Sequence, residues 1–244
     1  MESIIKTETV TKRFAAVNAL DHLTVSLPKS GMTSIVGPNG SGKSTLINIL
    51  SGTLPFEEGL VVIDEQRFRV ILPHENPSNG LTRTFQEVRL FEQMTALDNI
   101  LVVLTKRGIF QSLLERTNSE LYSRAKELID SVGIWHKHDS LASDLSYGQR
   151  KLMEIARVLA MDVKVFLFDE PFAGLFPKML DEVKQLLITL KEKGCTVIFV
   201  SHNMDIVREL SDHIVVMDAG SVLAEGDVEE VLNLPEVISA YLGT

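Results

Sequence analysis

Apolar and polar residues alternate from about Ile4 to Leu27, with turn-like interruptions, and the alternation resumes over Gly59-Leu60-Val61-Val62-Ile63-Asp64. A period of two belongs to strands with one buried face, so these segments predict a small antiparallel sheet. Thr33-Ser34-Ile35-Val36 reads as a short strand running into a glycine-rich stretch, and Leu46, Ile47, Ile49 and Leu50 follow at helical spacing between Ser44 and Leu50. From about Met94 to Asp144 the pattern turns helical. Leu97-Asp98-Asn99-Ile100-Leu101 opens one helix, and Glu120 to Val132 carries Leu121, Ala125, Leu128 and Ile129 on one stripe. Three continuous apolar runs come after it, near Val163–Phe168, Thr196–Val200 and His213–Met217, each separated by a helical stretch. Runs of this kind are strands buried on both faces, as in a parallel sheet.

The pattern predicts an α/β fold: a mainly parallel core sheet with flanking helices, an antiparallel β-subdomain and an inserted helical subdomain. The expected boundaries are a core with its β-subdomain over residues 1–93 and 145–244, and a helical subdomain over 94–144, within one domain spanning 1–244. No internal repeat or low-complexity linker interrupts it.

With 244 residues, 45% of them hydrophobic, the chain can bury a full core. A net charge of −9 and the lack of a Lys/Arg-lined helix face argue against a nucleic-acid partner. The first eight residues hold acidic groups and too short an apolar run for a signal peptide, and no run approaches the roughly 18 apolar residues of a membrane span. Cys195 is the sole cysteine, so no internal disulfide can form, and its place before Thr196–Val200 predicts a small buried side chain.

Gly37-Pro38-Asn39-Gly40-Ser41-Gly42-Lys43-Ser44-Thr45 fits the pattern G-x-x-x-x-G-K-[ST], in the strand–loop–helix setting that a phosphate-binding loop requires. Glycines there let backbone N–H groups face the phosphates, and the following helix adds its positive N-terminal end. These nine residues are the candidate nucleotide contacts; Lys43 is expected to reach the β- and γ-phosphates and Ser44 to ligate Mg²⁺. Asp169-Glu170 closes the apolar run Val165-Phe166-Leu167-Phe168, which places both carboxylates at a strand's carboxyl edge. Between loop and acidic pair stands Leu145-Ser146-Tyr147-Gly148-Gln149.

In this order the three segments resemble an ATP-binding-cassette ATPase, the ABC type of P-loop NTPase, over essentially the whole chain. The resemblance implies a composite site, in which Ser146, Gly148 and Gln149 close the nucleotide held by a second ATPase subunit, the same chain or a related one. It implies that Asp169 holds Mg²⁺, that Glu170 polarises the attacking water, and that His202, in Val200-Ser201-His202-Asn203, touches the γ-phosphate. Gln86, in Arg83-Thr84-Phe85-Gln86, would contact Mg²⁺ or the water and link the site to membrane permease subunits. Phe14 would stack on adenine, and such stacking tolerates exchange among aromatics. ATP and Mg²⁺ are the implied cofactors, and the cytoplasmic face of the cell membrane, reached through the permease, the implied location.

Two positions depart from the usual pattern. Tyr147 replaces the commoner first glycine, as in related importers, and Phe176 stands where Asp or Asn usually helps join the two sites. Arg83-Thr84-Phe85-Gln86 with Arg89-Leu90-Phe91, Glu170-Pro171-Phe172-Ala173-Gly174, and the ending Pro235 to Gly243 are similar to the ATPases of branched-chain amino-acid importers. The stretch from Gly59 to Arg83 is shorter than usual there, and Ile63-Asp64-Glu65 lacks a common glycine. A lipopolysaccharide-export ATPase, a soluble cassette ATPase and a non-hydrolysing switch stay open as alternatives.

Overall fold

A computed structural model describes residues 2–85, 88–105 and 118–242. Strand β1 (Ser3–Phe14) turns at Ala15 and pairs with β2 (Val17–Pro28); β3 (Gly31–Val36) leads through the glycine loop into α1 (Lys43–Leu50). β4 (Glu58–Ile63) and β5 (Gln66–Phe68) complete an antiparallel sheet in the order β2-β1-β4-β5. This is the small sheet that the alternation predicts. Thr7 sits on its buried face because its hydroxyl is fully used, donating to the Leu23 carbonyl at 3.0 Å and accepting from the Val25 N–H at 3.0 Å.

The second sheet runs β10-β9-β3-β8-β7-β6, with β6 (Leu81–Arg83), β7 (Val165–Asp169), β8 (Thr196–Val200), β9 (His213–Asp218) and β10 (Ser221–Gly226). All neighbours are parallel except β9 and β10. The three apolar runs are thus its central strands, while β6 escapes periodicity because three residues are too few to show one. Cys195 is only half-buried; burial pushes its thiol up, and Lys193 pulls it back.

Contacts divide the chain into two units. The first, Met1–Arg83, Val163–Pro171 and Ile188–Thr244, holds both sheets and a core that includes Ile5, Leu20, Leu46, Leu50, Val61, Leu167, Ile198 and Val215. Burying each such side chain contributes roughly 1.5–3 kcal/mol, before entropy is counted. Helix α6 (Met204–Leu210) joins β8 to β9, and α7 (Val228–Leu232) and α8 (Pro235–Leu242) end the chain.

The second unit, Thr84–Asp162 and Phe172–Leu187, contains α2 (Ala96–Leu104), α3 (Asn118–Ser131), α4 (Tyr147–Leu159) and the start of α5 (Pro177–Glu192). Its limits differ from 94 and 144 because α4 packs on both α2 and α3. Thr95 and Asp98 form a capping box at α2, satisfying N–H groups that a helix start leaves unbonded. Ser146 caps α4 in the same way, with Gln149 as the reciprocal partner.

Candidate nucleotide site

Glycines shape the loop after β3 because nothing else fits. At Gly37 (φ +148°) a Cβ would lie 2.1 Å from the Met217 carbonyl oxygen, and at Gly42 (φ +101°), the residue capping α1, it would lie 2.6 Å from that of Ala19. Gly40 has φ +82° with open space around it, while Asn39 beside it is exposed. Lys43 is buried, and its ammonium donates to the carbonyls of Gly37 and Pro38, each at 2.9 Å. Burial pushes its pKa down and the carboxylates of Glu170 and Asp169 push it up. Ser44 and Thr45 fall in the first turn of α1, both half-buried.

Strand order explains what gathers beside the loop. β3, β8 and β7 are consecutive parallel neighbours, and Asp169 pairs in register with Val200. The loop after β3, His202 after β8, and Asp169-Glu170 at the end of β7 therefore share the carboxyl edge of one sheet, the usual ligand edge of such sheets. Glu170 Oε1 lies 3.1 Å from His202 Nε2. The backbone of Glu170 is left-handed, with φ +51°, a conformation that disfavours a side-chain-bearing residue.

Asp169 is buried and meets Arg83 at 3.3 Å. The same guanidinium donates to Asn48 Oδ1 in the last turn of α1 at 2.7 Å and to Ser51 Oγ just past that helix at 2.8 Å. Arg83 is thus a buried hub tying β6, α1 and β7 together. In sequence Arg83 stands out only as the first residue of Arg83-Thr84-Phe85-Gln86, because the partners that bury it lie far along the chain.

Phe14 ends β1 with 49% of its surface exposed, enough for a ring face to take a stacking partner. Lys12 Nζ lies 5.4 Å from the ring centre, and Glu57 holds that ammonium at 2.6 Å. Gln86 lies outside the described residues.

Ser146, Gly148 and Gln149 belong to the helical unit. The Gln149 N–H donates to Ser146 Oγ at 3.3 Å and the Ser146 N–H to Gln149 Oε1 at 3.0 Å, closing a capping box on the surface. Tyr147 covers Gly174, where a Cβ would come within 2.8 Å of the ring, and Lys151 donates to the Ala173 carbonyl at 3.2 Å. Phe176 is 75% exposed, which makes it the most solvent-facing large apolar side chain among the described residues.

The structure brings Lys43, Ser44, Asp169, Glu170 and His202 into one unit and Ser146, Gly148 and Gln149 into the other. Fold and loop define a P-loop nucleoside triphosphatase. The chain matches the ABC transporter family over residues 20–173, more than half its length, and belongs to that family of ATP-binding, ATP-hydrolysing cassettes.

It is 37% identical over 245 residues to a probable branched-chain amino acid transport ATP-binding protein of Archaeoglobus fulgidus, covering 98% of this chain and 95% of that one. A high-affinity counterpart from Pseudomonas aeruginosa is 34% identical over 249 residues, covering 98% of each. Among solved structures, the ADP conformation of a cassette from an ABC transporter aligns over all of both chains with a TM-score of 0.84 and 35% identity. A dimeric cassette in a post-hydrolysis state, bound to ADP and phosphate, aligns with a TM-score of 0.82 and 28% identity, over 92% of this chain and 98% of that one. No helix among the described residues is long and apolar enough to cross a membrane.

Proposed function

We propose that the chain powers uptake of branched-chain amino acids as one of two cassettes held beneath membrane permease subunits, at the cytoplasmic face of the membrane. The observation that carries this reading is the cluster of Lys43, Asp169, Glu170 and His202 at adjoining strand ends, in a chain aligned nearly end to end with importer ATPases. Lys43 and the loop N–H groups bind the β- and γ-phosphates, and Phe14 stacks on the base. Glu170 orients the attacking water and His202 senses the γ-phosphate; Gln86 reports its presence. Positioning and electrostatics supply the catalysis.

Mg²⁺ suits the donors present, because Ser44 offers a hydroxyl and Asp169 a buried carboxylate, both hard oxygens, with Gln86 as a third contact. When bound it would neutralise charge developing on the phosphates. The phosphates bridge one loop to Ser146, Gly148 and Gln149 of a second cassette, so binding closes the pair and hydrolysis opens it. The helical unit and the Gln86 segment pass this movement to the permease.

The test is reconstitution with the copurifying membrane protein in vesicles. ATP-dependent leucine accumulation, lost in Glu170→Gln, is the expected result. ATP turnover stimulated by lipopolysaccharide and indifferent to leucine would move the chain to lipid export.

A further inference from the structure

Phe85 on one side and Arg89 to Phe91 on the other flank Gln86 in the chain, and three anchors in the helical unit hold these flanks. Buried Asn99 on α2 accepts the Phe91 N–H at 2.9 Å and donates to the Phe91 carbonyl at 3.1 Å. Arg157 on α4 donates to the Arg89 carbonyl, with its guanidinium 5.1 Å from the Phe91 ring centre. Glu154, one turn earlier, accepts the Phe85 N–H at 2.9 Å. The Arg89 guanidinium in turn stacks 4.1 Å over the Phe85 ring, so the two flanks of residues 86–88 are also tied to each other.

Glu154 is the unusual member. A carboxylate with 4% of its surface exposed is rare on a helix, and burial raises its pKa from 4.5 to about 7, while the amides of Phe85 and Arg89 and the cations Lys151 and Arg157 pull it back down. The same helix begins at Ser146, eight residues or about 12 Å away along its axis.

We propose that Glu154 is a positioning residue for ATP turnover: with Arg157 it clamps both flanks of residues 86–88 to α4, so that one rigid helix links Ser146 to the Gln86 segment. The inference rests on the roles proposed above for Ser146 and Gln86. It assigns a task to a side chain buried inside the helical unit. A carboxylate that only satisfied a buried N–H would need no companion on the far flank, whereas Arg157 supplies one.

Amide hydrogen exchange on the full chain without nucleotide, alongside ATP kinetics, tests it. Glu154→Ala should speed exchange at Phe85 about tenfold and lower kcat about tenfold while KM for ATP stays within about twofold. Glu154→Gln keeps an oxygen for the Phe85 N–H and should stay near wild type in both measurements. Where Glu154→Ala fails to fold, Arg157→Met should show the same loss in kcat at unchanged KM. Wild-type exchange and kcat in Glu154→Ala would overturn the clamp. So would equal losses of kcat and melting temperature in the Ala and Gln variants. A wild-type chain without ATPase activity would sink the functional reading instead, and the exchange comparison would then decide the clamp alone.

Discussion

The phosphate-loop edge and the start of α4 both carry groups proposed above to face phosphate, yet they are built in opposite ways. At the first, shape is imposed from inside: Gly37 and Gly42 leave no room for a Cβ, Lys43 and Asp169 are buried, and Arg83 ties three elements together. At the second, Ser146 and Gln149 satisfy each other on the surface and depend little on the rest of the chain. The difference teaches where damage should appear. Changes at the first edge strike folding and chemistry together, and changes at the second spare the chain's own nucleotide and strike its partner's.

The largest separation comes from Glu170→Gln, which should lower turnover by roughly 10²–10⁴-fold in a coupled assay while ATP affinity, measured at equilibrium, changes little. Undiminished turnover would remove Glu170 from its role. Next, Arg83→Met leaves the Asp169 charge buried beside an apolar chain and should lose about 3–5 kcal/mol in urea unfolding. Adding Asp169→Asn should restore much of that loss; strictly additive effects would mean that the pair is not coupled.

Glu154→Gln tests the interior of α4 through pH. Burial pushes the folded carboxyl up to about 7 from the usual 4.5, so between these values the native state binds more protons than the unfolded one. Wild-type stability should therefore fall as pH rises through that window, losing on the order of 3 kcal/mol by pH 8 relative to the Gln variant. Lys151 and Arg157, both on the same helix, are the cations that act on this carboxyl. Melting curves of equal slope against pH for both proteins would contradict this. The smallest effect is Ser146→Ala, which should cost about 1 kcal/mol as a lost helix cap and leave the monomer's ATP affinity intact. Ser146→Arg should block ATP-driven pairing in sedimentation; pairing at wild-type strength would end the role of Ser146 across subunits.

Much of the phosphate-loop edge was legible because each piece is local. An apolar run, a glycine loop and an acidic strand end carry their meaning within about ten residues, and parallel strands then bring them to one edge. Arg83 and Glu154 were not legible, since their partners lie far along the chain: Asn48, Ser51 and Asp169 for one, Phe85 for the other. Nothing in Leu81-Thr82-Arg83 or in the polar face of α4 announces a buried charge. The helical unit's boundaries were obscure for a related reason. α4 reads as the first helix after the acidic Asp144, and only packing on α2 and α3 assigns it to their unit.

The left-handed backbone at Glu170 has a consequence for anyone scanning that position. Each replacement there is sorted twice, once by whether its side chain can hold a water and once by whether its backbone accepts a positive φ. Asn and Gly pass the second filter readily, while Val and Ile meet a penalty of about 1–3 kcal/mol before any chemistry is asked of them. A tolerance map of residue 170 would therefore rank side chains by torsional comfort as much as by basicity, and only replacements of equal comfort compare like with like.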